Sequence, residues 1–565
     1  MTVPTAQINT GNFNLASALS GFAIGAAATV LAFVAINPNG SSTPAASSTT
    51  APQAADNGGV LLPIGGGGDG SSAVTAPPVG QTRTLANGTK LTTQSDGTVV
   101  ATDKSGHTQV IGRTSPTGST GTTGTSGTAG VSGSSGSTTS GGATGGASGS
   151  GAGAGGGGSS GACGAGGATA PGVTADSIQL GTTVAESGIA KAFLGEARQG
   201  MEAYKNRVNS SGGICGRRLT IKYVDDGWEP GTGQTDLSNL INEDKVFAIA
   251  VGPSSEGVNA ASNAKMFDQS GVPVVGTNGL EAQQYKDPYI WPVASATVTM
   301  LHVMMKNAWD QGARNPAIVF DNQYKFGVEG AKAFEAAYER LSGGKKIPGS
   351  DSSSCGSGSR YCGVSAGTGQ YGNNVSIINN ACKDTCDYLV LLLEPDTAEQ
   401  WMATPGAPTV SDKLQIGLAQ PLFTYDFGTT CGDKCNNMQV WTGYNPPLEQ
   451  FAGNADVKQY VADLKAQNQS ADVYNQFTEG SYLGMELLVD AMQKVGGNLT
   501  RDALKSTLDS MSLNSGLAAG PESWSAGNHW AVAGAQGFQM QSLNGFSGWR
   551  LKTSFTKDPW LGQDF

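Results

Sequence analysis

From about residue 171 onward, two hydrophobic patterns alternate along the chain. Short, nearly continuous aliphatic runs are each followed by a stretch with apolar residues at helical spacing. The runs are SIQLGTTV (Ser177–Val184), LTIKYVDD (Leu219–Asp226), VFAIAVGP (Val246–Pro253), VPVVGT (Val272–Thr277), PAIVFD (Pro316–Asp321) and YLVLLLEP (Tyr388–Pro395). The helical stretches fall at 195–208, which Gly212-Gly213 stops, and at 233–244, 256–270, 327–342 and 396–403. Runs that are apolar on both faces and separated by helices predict parallel strands covered on both sides, an α/β doubly wound, Rossmann-like arrangement. About 400 residues exceed what one such sheet uses, so two lobes are predicted within 171–565.

The pattern before residue 171 is different. Leu15–Ile36 reads LASALSGFAIGAAATVLAFVAI, with no charge in the run. That length crosses a hydrocarbon core of about 30 Å as a helix. A cleaved signal peptide is the rival reading of residues 1–36. No Lys or Arg precedes Arg83, and the run exceeds the roughly 7–15 apolar residues of a signal, so a membrane anchor is favoured. Either reading exports the rest of the chain and places it outside the cytoplasm, at the cell surface or in a periplasm. Residues 37–79 are a low-complexity linker, too poor in apolar residues to bury a core. Within 80–113, Asn87-Gly88, Asp96-Gly97 and Ser105-Gly106 separate β-branched runs, which predicts a small β-meander. Residues 114–170 are nearly pure Gly, Ser, Thr and Ala, a flexible leash with a root-mean-square span of about 40 Å.

Composition narrows the function. The net charge is −11 and there is no basic block, which argues against nucleic acid as a partner. Only 14% of residues are charged, which argues against a coiled coil. The three histidines, His107, His302 and His529, are too scattered for a histidine metal site. There is no Gly-x-Ser-x-Gly elbow, His-Glu-x-x-His pair or Gly-x4-Gly-Lys-Ser/Thr loop, so no enzyme and no cofactor is predicted. The eight cysteines suit an oxidising exterior. Cys163 and Cys215 flank the first βα unit. Cys355 and Cys362, Cys382 and Cys386, and Cys431 and Cys435 are close local pairs. A zinc site on Cys382, Cys386, Cys431 and Cys435 is the rival to disulfides, since the spacing permits tetrahedral ligation.

The run GTTVAESGIAKAFLGEARQGMEAYKNRVNSSGGICGRRLTIKYVDDGWEPG resembles the opening of the branched-chain amino acid-type periplasmic binding proteins. Ser187-Gly188 resembles that family's early Ser-Gly loop, Gly212-Gly213-Ile214 its Gly-Gly-Ile turn and Asp225-Asp226 its Asp pair after a strand. VGPSSEG and VPVVGTNG resemble its first and second ligand loops, and FDNQYKFGVEGAKAF its Asp…Tyr-Gly segment in the second lobe. The resemblance implies a type I fold of two hinged lobes, the first about 171–296 and 440–530, the second about 297–439 and 531–565. It also implies a small-molecule solute and an ABC permease as partners.

Ligands of open α/β sheets sit beyond the carboxyl ends of the strands. The loops after those ends supply the site residues. Ser254 and Ser255 stand just before a helix, where hydroxyls and free N–H groups suit an anion; a helix cap is the plainer role. Thr277 and Asn278 follow the next strand. The resemblance adds Ser187, places an aromatic at Phe193, and makes Tyr324 and Phe326 the second-lobe aromatics. It also implies an acidic residue for an ammonium near Gln420, where none stands; Glu394 supplies one instead, with Asp426 a weaker substitute. An unpaired buried ammonium is costly, so an amino acid, a neutral molecule and an anion all remain open. The function expected is capture of a small polar solute for an ABC importer. The alternative is a surface structural, adhesive or sensory role on the same fold.

Overall fold

Nearly all the aliphatic runs become strands of two sheets. The computed structural model describes residues 80–84, 90–94, 98–102, 108–113, 163, 169–352, 355–541, 545–546 and 548–563, with the backbone of 61–62 and 74–75. Residues 1–148 and 149–565 are two units, taken here one at a time. The Leu15–Ile36 run lies outside the described residues, as does the 114–170 leash apart from Cys163, Thr169 and Ala170. Among the described residues no helix is long and apolar enough to cross a membrane.

In the first unit, Thr82–Thr84, Lys90–Thr93, Thr98–Thr102 and Thr108–Arg113 pair in sequence order as a four-stranded antiparallel sheet. Leu91 is fully buried. Leu61–Leu62 pairs with Val74–Thr75 inside the stretch read as a linker.

The second unit holds the two lobes. The first-lobe sheet contains β1 (Ser177–Val184), β2 (Arg218–Asp225), β3 (Ile249–Ala250), β4 (Val274–Thr277) and β5 (Ile290–Pro292), all parallel, in the order β5-β4-β3-β1-β2. The second contains β6 (Pro316–Asp321), β7 (Tyr361–Val364), β8 (Tyr388–Leu392), β9 (Gln415–Leu418), β10 (Gln439–Thr442), β11 (Gly534–Gln539) and β12 (Arg550–Lys557). Its order is β7-β6-β8-β9-β10-β11-β12, with β11 antiparallel to both of its neighbours, β10 and β12. Because β10 lies in the second sheet, the chain returns to the first lobe after Thr442, not at 440.

The main helices are α1 (Ala197–Ser210), α2 (Pro230–Asn242), α3 (Ser255–Asn263), α4 (Thr297–Asp310), α5 (Lys325–Ser342), α6 (Pro395–Ala403) and α7 (Gln476–Val495). The stretch 256–270, read as one helix, is two, because Lys265 turns left-handed at φ 55° and separates α3 from Met266–Ser270. Helix α7 packs on α1 and on β4, so the late chain segment completes the first lobe. Its approach to β4 depends on two glycines: a Cβ on Gly276 would stand 2.3 Å from the Gly484 Cα.

Three crossings join the lobes, and they touch one another. The Ser295 hydroxyl donates to the Gly534 carbonyl, and a Cβ on Gly443 would lie 2.5 Å from the Ser295 oxygen. The crossings thus form one meshed strip between the lobes, the place where a hinge between them would lie.

All eight cysteines are joined as Cys163–Cys215, Cys355–Cys362, Cys382–Cys386 and Cys431–Cys435. The sulfurs proposed for zinc are bonded within each local pair. Loop-closure entropy ranks the bridges. Cys163–Cys215 spans 52 residues and is expected to stabilise by about 4 kcal/mol, against about 2 kcal/mol for the 4-residue spans. Urea unfolding of the Cys163→Ser/Cys215→Ser and Cys382→Ser/Cys386→Ser variants checks this ranking. An equal loss in both would contradict it.

Candidate functional site

The carboxyl ends of the two sheets meet, and their loops make the contact between lobes. After β1, the Glu186 and Ser187 amides both donate to Asp225 Oδ1, at 2.9 and 3.1 Å, which fixes the exposed Ser187 loop. After β2, Asp226 Oδ1 accepts from the Trp228 amide at 3.0 Å and from the Ser254 hydroxyl at 2.6 Å. Trp228 has φ 65° and is buried. A bulky side chain in left-handed backbone is uncommon and persists only where the surroundings dictate it. After β3, Val251 and Gly252 are both left-handed at φ 62°, and for a β-branched valine that is strained. Strain of this kind clusters where a loop must present itself to a partner.

This loop places Ser254 at the cap position of α3, but its hydroxyl goes to Asp226 and makes no cap bond. The Ser255 oxygen accepts from Trp228 Nε1 at 3.1 Å. Thr277 and Asn278 are buried after β4, and neither the Thr277 hydroxyl nor the Asn278 amide has a hydrogen-bond partner.

Tyr324 stands at the start of α5 in the second lobe and stacks on Trp228 of the first, ring centroids 4.0 Å apart at 21°. Phe326 is buried 5.9 Å from the same indole, and Phe193 meets it edge-on at 5.7 Å. Phe477, on the first turn of α7, packs against Phe193 at 5.4 Å. Two hydrogen bonds lock the lobes beside this aromatic wall. The Lys325 amide donates to Glu256 Oε1 and the Ala282 amide to Glu329 Oε2, each at 2.9 Å.

Glu394, offered by the sequence as the partner of an ammonium, caps α6. It accepts from the Asp396 and Thr397 amides at 2.8 Å each, and from the Thr397 hydroxyl. Burial pushes its carboxyl up to about 7. Gln420 is buried, both ends of its amide lack partners, and its turn packs against α7.

The shell around these loops is acidic. Burial raises Asp226 and Asp321 to about 6. Burial also raises Glu281, and the Glu256 and Glu329 carboxylates push it further. An anion beside Ser254 would face the Asp226 carboxyl, so this environment disfavours it. A cavity of 670 Å³ opens at the rim between the lobes, lined by Gly188, Ile189, Glu196, Tyr425, Asp472 and Tyr474 among others. Of the sequence-predicted ligand residues only Asp426, the weaker substitute for the ammonium's partner, lines it. Here the Tyr425 amide donates to Asp472 Oδ2 at 2.8 Å, and Tyr425, 48% exposed, stacks on Tyr474.

The sequence profile of the periplasmic binding protein family matches residues 177–545, which takes in the first sheet, the second as far as β11 and the crossings between them. The chain belongs to the periplasmic binding protein family. Solved structures agree on the type I fold. A possible leucine/isoleucine/valine-binding protein from Rhodopirellula baltica superposes with a TM-score of 0.56 at 14% identity, over 66% of this chain and 96% of that one. The branched-chain amino acid transporter substrate-binding protein of Streptococcus pneumoniae, solved with isoleucine, gives 0.55 at 16%, over 68% and 100%. A solute-binding protein of an ABC transporter from R. palustris, solved with 4-hydroxybenzoate, gives 0.56 at 17%, over 68% and 100%. No curated protein matches the chain.

In this periplasmic binding protein the structure brings Ser254, Ser255, Phe193, Tyr324 and Phe326 together around one residue that sequence reasoning passed over, Trp228. Its signal was present: a lone tryptophan in a polar loop directly after a strand and an Asp pair.

Proposed function

We propose that this periplasmic binding protein captures a small polar solute outside the cytoplasm and delivers it to an ABC permease. The single observation that supports this most is the set of buried, unpartnered polar atoms at facing strand ends, on Thr277 and Asn278 of the first lobe and Gln420 of the second. An orphaned buried group costs about 1–3 kcal/mol, and a bound solute supplies the missing partners. Ser254, Ser255, Phe193, Tyr324 and Phe326 shape the walls of the same cleft, Ser187 its lip, and Glu394 the second-lobe floor. The acidic shell favours neutral or amine-bearing solutes over free anions. The Leu15–Ile36 run tethers the protein to the membrane in this reading, and the 114–170 leash lets the lobes search for solute near the permease.

A thermal-shift screen of amino acids, short peptides, sugars and aromatic acids tests the proposal. A true ligand at about 100 times its Kd stabilises by about 2.7 kcal/mol. If no solute in the panel moves the transition, solute capture is refuted.

One observation favours a second reading, a structural or sensory surface role. With Trp228 stacked on Tyr324, the lobes close on their own side chains, and the open cavity lies at the rim. Native mass spectrometry of the purified full chain separates solute binding from a purely structural role, since only a solute-binding protein retains a small molecule.

A further inference from the structure

We propose that the cavity at the rim between the lobes is a carbohydrate site, in which a sugar ring stacks on the platform of Tyr425 and Tyr474. None of Thr277, Asn278 and Gln420 lines this cavity, so the proposal does not rest on the solute-capture reading above.

The cavity measures 670 Å³, within the range of about 300–1,000 Å³ that small-molecule clefts occupy. Both lobes build it. The segment after β1 and the turn before α7 bring Glu196, Asp472 and Tyr474; the first turn of α6 and the loop after β9 bring Asp396, Tyr425 and Asp426. Asp472 ties the two sides. Its Oδ2 accepts from the Tyr425 amide and its Oδ1 from the Tyr474 amide, each at 2.8 Å.

That tie holds the two tyrosine rings beside each other. They lie within 19° of parallel, with centroids 6.3 Å apart. Phe546, which does not line the cavity, stacks on both, 4.4 Å from Tyr474 and 5.6 Å from Tyr425. Tyr425 is the one large hydrophobic side chain exposed among the described residues. A lone exposed ring is ordinary, but one fixed in a parallel set of three on a cavity wall is a platform.

The polar groups around the platform carry both signs. Among the described residues, the carboxyls of Glu196, Asp396 and Asp426 and the Lys191 ammonium have no hydrogen-bonded or ion-paired partner, and all four line the cavity. Lys465 is on the lining too, but its Nζ donates to the Gln469 and Ala471 carbonyls at 2.9 Å each. A sugar ring matches this arrangement. Its C–H face is slightly positive and suits the negative face of an aromatic ring, while the hydroxyls at its edge donate to carboxylates and accept from an ammonium. The alternatives fit less well. A free anion would meet the carboxylates, and an organic cation would meet Lys191 and Lys465. A hydrocarbon would strip water from unpaired carboxyls and replace none of its hydrogen bonds.

The test uses the full chain and its Tyr425→Ala and Tyr425→Phe variants. Calorimetry measures glucose, galactose, N-acetylglucosamine, cellobiose and maltose, with benzyltrimethylammonium as the cationic probe. Retention on insoluble cellulose and chitin reports sugar held in a polymer. The expected result is binding of a sugar or polymer that falls by about tenfold or more in Tyr425→Ala, a loss of about 1.4 kcal/mol, and is largely kept in Tyr425→Phe. Binding of a soluble sugar assigns a free saccharide; retention on a polymer alone assigns a surface glycan. If Tyr425→Ala does not fold, Asp426→Asn, exposed and outside the ring stack, takes its place with the same reading.

No binding of any sugar or polymer overturns the proposal. Binding that survives Tyr425→Ala, or that falls equally in both Tyr425 variants, also overturns it. So does tighter binding of benzyltrimethylammonium than of every sugar, which would make the cavity a cation pocket. In each of these cases an amino acid or other solute that still binds leaves solute capture standing.

Discussion

Trp228→Ala is expected to leave both sheets folded and to weaken solute binding by about 100-fold or more. The indole stacks on Tyr324 and touches Phe326, both of the opposite lobe, and packs on Phe193 and Ser255 of its own. Removing a buried aromatic costs about 3–5 kcal/mol. The part lost within the first lobe appears as a lower Tm. The part lost across the cleft falls on the closed state alone, and affinity drops by a factor of ten for each 1.4 kcal/mol of it. Trp228→Phe restores part of the stack and is expected to recover part of the affinity. Calorimetry with the solute found by screening gives the affinity, and small-angle scattering with and without that solute gives the closure. If Trp228→Ala binds and closes like the parent, the aromatic wall is ordinary packing.

The second large effect is on pH. Burial raises Asp226 and Asp321 from ordinary aspartate values to about 6 and raises Glu394 and Glu486 to about 7. A carboxyl whose folded value lies above its unfolded value binds its proton more tightly in the native state. Its stabilising contribution is complete below the unfolded value near 4 and disappears as pH rises through the folded value. The window is therefore about pH 4 to 7, and stability falls toward alkaline pH. The aspartate shifts correspond to about 2–3 kcal/mol each as upper figures. Tm is expected to be about 5–10 °C lower at pH 8 than at pH 5. Glu281 adds a link to closure, since Glu256 and Glu329 hydrogen-bond across the cleft and both raise its carboxyl. Solute affinity should thus also weaken as pH rises through the range in which Glu281 ionises, and Glu281→Gln should flatten that slope. Scanning calorimetry across this range decides the matter: a Tm that climbs with pH would show that these carboxyls are solvated.

Much of this molecule was readable in advance, and the failures have identifiable causes. The runs at Val272, Pro316 and Tyr388 became strands because uninterrupted aliphatic residues satisfy a sheet covered on both faces, whereas the Leu219 run, broken by Thr, Lys and Tyr, forms the sheet's edge with much of its surface exposed. VFAIAVGP promised eight residues of strand and delivered Ile249–Ala250, because Val251 and Gly252 swing left-handed to aim the following serines. Strands β11 and β12 were not foreseen. GAQGFQ has neither alternation nor an aliphatic run, and it is held as a strand by β10 on one side and β12 on the other. The cysteine pairs were legible because three of them close loops of only 4 to 7 residues.

The candidate site divides along the same line. Ser254, Ser255, Thr277 and Asn278 stand at strand ends as read, because where a strand stops is a local property. Their partners were not legible. Ser254 turned out to serve Asp226, Ser255 to hold Trp228, and Glu394 to cap its own helix.

By itself, the sequence determined the order of strands and helices, the parallel sheets that order requires, and the loops lying at their carboxyl ends. Those follow from side-chain periodicity and backbone preference over a few residues, which every short window of the chain carries. The tertiary structure alone decided that β10 belongs to the second sheet, that Trp228 meets Tyr324, and that Asn278 and Tyr444 come together over Gly480 of α7. Such contacts join residues far apart along the chain. Their energies depend on how two lobes and three crossings fit in space, which no local pattern encodes.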